Sequence, residues 1–125
     1  EKFNIKNFGY LDHSNIQKFY ADVDICVTCS DLECFSAFPL ESMFFYKPLI
    51  CSDYPFHSEI YKEYPFYFKG GNYLSLCKKI IELKNMDIKD LKERLNAAQN
   101  FVLNLPSAQE RKNQFNKIIL DISNK

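Results

Sequence analysis

The sequence predicts an α/β domain: a parallel sheet flanked by helices, with further helices at the C-terminal end. Short apolar, strand-like runs alternate with helical patterns along the first two thirds of the chain, the signature of β-α-β units. One of those runs, Asp24 to Thr28, is apolar almost throughout, as expected of a strand covered on both faces. With 46% apolar and 16% aromatic residues in 125, the chain has ample material for a packed core.

Taken in order, Phe3 to Phe8 reads as a strand ending at Gly9, and Ser14 as the cap of a short helix whose Ile16, Phe19 and Tyr20 share a face. Asp24 to Thr28 is the second strand, and the polar loop Cys29 to Phe35 follows. A helix runs from an N-cap at Ser36 to about Tyr46, with Pro39 in the first turn, where its missing N–H costs little, and with Leu40 and Phe44 toward the core. Pro48 to Cys51 is a third strand, Phe56 to Lys62 a short helix, and Phe66 to Phe68 a fourth strand before the Gly70-Gly71 turn. Phe3, Ile25, Leu49 and Tyr67 are expected on four adjacent parallel strands. Tyr73 to Lys84 is an amphipathic helix with a wide buried face formed by Leu74, Leu76, Cys77, Ile80, Ile81 and Leu83. Two more helices, Ile88 to Leu103 and Ser107 to Ile122, are divided by Leu105-Pro106, with Ser107 capping the second. The whole, 1–125, reads as a single domain fragment: an α/β core over 1–85 and C-terminal helices over 86–125. Phe115, Ile118, Ile119 and Ile122 give the last helix an apolar face that calls for a neighbour.

Charge narrows the partners. Sixteen Lys and Arg balance sixteen Asp and Glu, so no long-range field favours nucleic acid or an anionic membrane, and any phosphate recognition must be local. The lysines after Lys78 alternate with acidic and amide residues and read as solvated helix faces. No apolar run approaches the roughly 18 residues of a transmembrane span, and a cytoplasmic location is expected. The chain opens on strand-like sequence with no Met and no leader, which reads as an excised fragment. Five scattered cysteines, Cys26, Cys29, Cys34, Cys51 and Cys77, several of them in apolar strand-like runs, suggest buried reduced thiols rather than a disulfide framework. Cys26 and Cys29 form a Cys-x-x-Cys, yet no second ligand pair accompanies it, His13 and His57 lie in separate segments, and its first Cys sits inside a strand rather than at a helix start. No metal site is expected.

The chemistry concentrates in Glu33-Cys34-Phe35-Ser36-Ala37-Phe38-Pro39-Leu40-Glu41, two glutamates with seven residues between them. Two glutamates at a chosen spacing arise readily by chance, and on a surface helix and loop they need no function; their placement is what matters. The loop follows a parallel strand, and open α/β sheets bind ligands at the carboxyl ends of their strands. The first amides of the following helix, around Ala37 and Phe38, lack intrahelical partners and face outward with the positive end of the helix dipole, as a phosphate requires. Glu41, one turn in, is placed to accept hydrogen bonds from ribose hydroxyls, and Glu33 from a sugar attached to the diphosphate.

The flanking residues make this specific. Phe8-Gly9-Tyr10-Leu11, the helix ending Ala21-Asp22, the strand to Val27, Ser30-Asp31-Leu32-Glu33-Cys34-Phe35-Ser36, Pro39-Leu40-Glu41-Ser42-Met43 and Lys47-Pro48-Leu49-Ile50 occur in the order found in the C-terminal domain of retaining glycosyltransferases of family 4. His57-Ser58-Glu59-Ile60 and Phe66 to Tyr73 continue the resemblance, which covers roughly Asn7 to Leu83. It implies the Rossmann-like C-terminal half of a GT-B enzyme, transferring sugar from a nucleotide donor to a saccharide, lipid-linked or protein acceptor with retention, in a setting such as polysaccharide biosynthesis. It further implies Glu33 as the catalytic residue at the transferred sugar, Glu41 at the ribose, and Ser36 and Ala37, with Phe35 beside them, at the diphosphate. No cofactor or metal is implied, because protein donors offset the charge of the leaving diphosphate. The basic residues and the N-terminal acceptor domain that complete such a site are expected upstream of Glu1, so the fragment alone is expected to be inactive. Two positions depart from the pattern: Ser36 replaces a usual Gly, and Lys47 stands where a Gly usually precedes the strand proline.

A non-catalytic binding or scaffold module on the same frame is the alternative. Flavodoxin-like and receiver-like domains need a phosphate loop or an acidic cluster at the first strand, and neither is visible. A nucleotide-sugar epimerase would share the architecture but needs a histidine and further carboxylates that the sequence does not place.

Overall fold

A computed structural model describes residues 4–123. It is α/β, with a parallel sheet flanked by helices on both faces. The strands are β1 (Cys26–Thr28), β2 (Leu49–Ser52) and β3 (Phe66–Phe68), in the order β1-β2-β3, with Cys26 opposite Leu49 and Ile50 opposite Phe66. The helices are α1 (Ile16–Ala21), α2 (Ala37–Phe44), α3 (Pro55–Tyr61), α4 (Tyr73–Lys84), α5 (Ile88–Leu103) and α6 (Ala108–Ser123).

Among the described residues, 4–8, the expected first strand does not form. Phe3 lies outside the described residues, and residues 4–8 carry no ladder partner, with Ile5 left 88% exposed. A run with strand-like residues becomes a strand only by pairing, and the outer edge of β1 is not paired with it. Phe8 instead meets Phe19 of α1 edge-on, ring centres 5.7 Å apart, and Gly9 turns the chain with φ 60 while its N–H bonds Asn7 Oδ1 at 2.8 Å. Ile25 falls one residue ahead of β1.

Central β2 is buried along its whole length, and its alternating side chains feed two cores. On one face Leu49 packs with Tyr20, Cys26, Met43, Tyr61 and Ala98; on the other Ile50 packs with Phe66, Phe68 and Leu83. Cys26 and Cys51 lie in this interior, where burial pushes the Cys51 thiol up to about 12, while Cys29, Cys34 and Cys77 are exposed. All five are free thiols.

Helix ends explain the local boundaries. Asp12, not Ser14, caps the entry to α1: its Oδ1 accepts from the Ser14 amide at 2.9 Å and heads a 3-10 turn over His13–Asn15. Asn72 caps α4, Asp87 caps α5, and Ser107 and Glu110 bond each other's backbone amides at the start of α6, a reciprocal capping box. The end of α2 is a Schellman turn, with Tyr46 N–H to Met43 O at 3.1 Å and Lys47 N–H to Ser42 O at 2.9 Å. Its left-handed residue is Tyr46 at φ 60, one position before Lys47, so Tyr46 occupies the place that favours glycine.

The face expected of α4 is narrower than its sequence suggests. Leu83 is buried and Leu76 half-buried, but Leu74, Cys77, Ile80 and Ile81 are exposed, because α4 lies at the β3 side of the sheet and touches it along a single stripe. By contrast α5 is integral: Leu95 and Ala98 are buried, Gln99 Nε2 bonds Phe44 O at 2.7 Å at the end of α2, and Arg94 reaches the turn before β3. No residue of α6 is buried, and Phe115, Ile118, Ile119 and Ile122 are exposed.

Lys62, which ends α3, sits at φ 56 and ψ −139, a region that only glycine occupies without strain. The Tyr67 hydroxyl fixes this turn by bonding Lys62 O at 2.7 Å. Lys62→Gly is therefore expected to raise folding stability by about 1 kcal/mol, the relief of strain exceeding the entropy that glycine adds to the unfolded chain. A higher urea midpoint at unchanged slope is the expected reading; a lower one would show that the turn is not strained.

Candidate functional site

The loop between β1 and α2 places Glu33, and α2 places Glu41. Glu33 is half-buried, and its Oε1 accepts from Ser30 Oγ at 2.9 Å, so the carboxylate is folded back toward the strand end. Two residues on, Phe35 is 61% exposed and stands as a free wall beside the start of the helix. Ser36 occupies the N-cap with φ −112 and ψ 129, and its hydroxyl makes no capping bond. That extended backbone shows that a non-glycine residue is accommodated here without strain. The amides of Ala37 and Phe38 open the helix, and Pro39 contributes none.

Glu41 lies in the second turn of α2. Its Oε2 accepts a hydrogen bond of 3.2 Å from the Tyr20 hydroxyl of α1. Tyr20 is 2% exposed and stacked on Phe45 at 4.6 Å. Burial first, and the charge of Glu41 second, raise the Tyr20 phenol above its ordinary value, so it stays a donor at any physiological pH. One carboxylate oxygen is thereby fixed, leaving Oε1 free of any protein partner among the described contacts. Glu41 lines a groove of about 460 Å³ together with His13, Ser14, Ile16, Gln17, Phe44 and Phe45. This combination of a free carboxylate oxygen, hydroxyl and amide side chains and aromatic walls suits a polyhydroxylated ligand.

Glu33 does not line that groove. The two carboxylates sit on one loop–helix unit but face different surroundings, Glu41 toward α1 and Glu33 toward Ser30. A larger groove of about 520 Å³, between Lys6, Phe8 and α1, holds neither glutamate and carries none of the expected chemistry. Among the described residues no three His, Cys, Asp or Glu side chains come together as metal ligands, and no helix is long and apolar enough to cross a membrane.

Reading the sequence missed Tyr20 as the partner of Glu41, having assigned it only to the apolar face of a helix. The residues are 21 positions apart, and no local pattern joins them. It also gave no role to Ser30, although the Ser30-x-x-Glu33 spacing is a local signal for the bond that forms.

A family model described as glycosyl transferases group 1 matches residues 2–102, a span that runs through β1, β2 and β3 and into the last turn of α5. No curated protein matches the chain.

Proposed function

The chain belongs to the glycosyl transferases group 1 family, and on that footing we propose that it forms the donor-binding part of a retaining transferase. Its substrates are a nucleotide sugar and a saccharide, lipid-linked or protein acceptor. The observation that carries the reading is Glu41, with Oε2 accepting from the Tyr20 phenol, no protein partner at Oε1 among the described contacts, and a place in the lining of a groove with polar and aromatic walls. A ribose diol offers two hydroxyl donors to such an acceptor.

In this reading the Ser36 and Ala37 amides, at the positive end of α2, face the diphosphate, and Phe35 shields it. The bond from the anomeric carbon to the diphosphate oxygen breaks and its electron pair leaves with the diphosphate. The acceptor oxygen takes its place on the same face and passes its proton to the departing diphosphate oxygen. Glu33 lies at the sugar, positioning it and bearing on the charge that develops at the reacting carbon. The family resemblance assigns neutralisation of the diphosphate to protein donors, and assigns the acceptor wall to a second domain. Of the helices that follow the 1–85 core, α5 completes it through Leu95 and Ala98.

Glu33→Gln in the full-length protein is expected to lower turnover about tenfold while donor affinity changes less than threefold, because its contact strengthens at the reacting centre. Initial rates with UDP-, GDP- and ADP-sugars, paired with calorimetric titration of the same donors, measure both. Wild-type protein that binds none of these donors would favour a non-catalytic scaffold over a transferase.

A further inference from the structure

The loop that carries Glu33 is held in place from outside itself. It has no regular structure, Leu32 is 87% exposed, and its own packing does not determine its path. The β2–α3 segment supplies what the loop lacks. Ser52 Oγ donates to Ser30 O at 3.1 Å, Tyr61 OH donates to Ser36 O at 2.8 Å, and Tyr54 OH donates to Asp31 Oδ1 at 3.2 Å. The first two fix the backbone on either side of Glu33, and Ser30, once fixed, presents its own hydroxyl to Glu33 Oε1 at 2.9 Å.

The two backbone anchors are set in the core: Ser52 and Tyr61 are each 1% exposed. Behind Ser52 stands His57, also 1% exposed, with Nδ1 3.0 Å from both Ser52 O and Ser52 Oγ. A carbonyl oxygen only accepts, so the proton resides on Nδ1, and the Ser52 hydroxyl is free to direct its own proton to Ser30 O. The Ser52 and Ser30 hydroxyls then each donate to one acceptor, while Nδ1–H faces Ser52 O and Ser52 Oγ together. The consequence is an unprotonated Nε2, which is buried and has no hydrogen-bond partner. An apolar residue would fill this space without leaving a buried acceptor unsatisfied, so packing does not explain a histidine here, whereas orientation of Ser52 does.

We infer that Ser52, His57 and Tyr61 are positioning residues for Glu33, holding the loop that carries it in the geometry the transfer step requires. This rests on the reading of Glu33 at the transferred sugar. None of the three touches the substrate; they act through Ser30 and the backbone of Ser36.

The test uses Ser52→Ala and Tyr61→Phe, which each remove one hydroxyl, in the full-length protein with the UDP-, GDP- and ADP-sugar panel, at temperatures well below unfolding. Each variant is expected to lower kcat about three- to tenfold with donor KM within about twofold, and neither is expected to slow the Glu33→Gln protein further, as residues acting through one group should not. His57→Asn, whose amide nitrogen replaces Nδ1–H, should retain more turnover than His57→Gln, whose amide reaches the Nε2 position. Independently of turnover, imidazole ¹⁵N shifts should report the Nδ1–H tautomer. Backbone order parameters over residues 31–36 should fall from about 0.85 toward about 0.6 in the Tyr61→Phe and Ser52→Ala proteins. If Glu33→Gln is slow but the hydroxyl variants turn over like wild type with an equally rigid loop, the positioning role is wrong and the function of Glu33 stands. If Glu33→Gln itself is as fast as wild type, the reading of Glu33 falls and this role falls with it.

Discussion

Replacing Arg94 with alanine is expected to lower folding stability by about 2–4 kcal/mol, among the largest effects of any single side chain outside the buried aliphatic core. The turn that delivers the chain into β3 leaves three carbonyls unpaired by the sheet. Arg94 of α5 takes all of them: Nη2 bonds Glu63 O and Pro65 O, both at 2.7 Å, and Nε bonds Tyr64 O at 3.1 Å. The guanidinium also lies 4.2 Å above the Phe66 ring at the start of β3. Alanine removes a charged, forked donor and leaves partly buried carbonyls without a partner, which costs more than the loss of an ordinary hydrogen bond. Arg94→Lys is not expected to restore stability, because a single ammonium cannot span the three carbonyls in the plane of the fork. Urea unfolding of the three proteins checks both statements; a loss below about 1 kcal/mol in the alanine variant would mean that the packing of Leu95 and Ala98 and the Gln99 bond hold α5 without Arg94.

Arg94 also shows where the sequence stops being informative. The amphipathic period of Ile88 to Leu103 and the break at Leu105-Pro106 are local, and α5 forms over those residues. The same holds for Tyr73 to Lys84 and for Phe66 to Phe68, each bounded by capping or turn residues within a few positions. What Arg94 does depends on a turn some 30 residues earlier, which no local pattern joins to it. The Phe3 to Phe8 run fails for the related reason that strand-like composition specifies no partner: β1 pairs with β2, and the β1 edge is not paired with residues 4–8. The breadth of the α4 face was overread because periodicity reports which residues share a side, not how much of that side is covered.

The candidate site divides along the same line. The placement of Glu33 on a loop after a parallel strand, and of Glu41 in the helix that follows, was legible from alternation and capping alone. The side chains that hold them were not, since Tyr20, Ser52, His57 and Tyr61 reach the loop–helix unit from other elements. Tyr46 is an intermediate case. The departure from a glycine near the strand proline was visible, but only the Schellman bonds show that the strained position is Tyr46 rather than Lys47.

Glu41→Gln in the full-length protein is expected to weaken binding of a nucleoside diphosphate about ten- to hundredfold, or about 1.5–3 kcal/mol. Tyr20 already occupies Oε2, and its phenol, raised by burial and by the charge of Glu41, has no other protonation state to offer near neutrality. On the proposed reading the carboxylate meets the ribose through Oε1. Glutamine has one oxygen for two tasks. If that oxygen keeps the Tyr20 hydroxyl, an NH₂ group faces the ribose and cannot accept from the diol; if it turns to the ribose, the NH₂ group faces the Tyr20 hydroxyl, whose proton then loses the acceptor that Glu41 Oε2 supplies. Either arrangement loses a charge-assisted bond, so the variant should lose affinity for UDP, GDP or ADP, whichever the wild type binds most tightly. The fold should be unaffected, since Glu41 is only half-buried and α2 is held by Met43 and Pro39 in the core. Calorimetric titration of both proteins with the three nucleotides decides the matter. Affinity within twofold of wild type would make Glu41 an ordinary helix residue paired to Tyr20 for stability, and would shift the balance to a glycosyltransferase-like scaffold that does not use this groove for a donor.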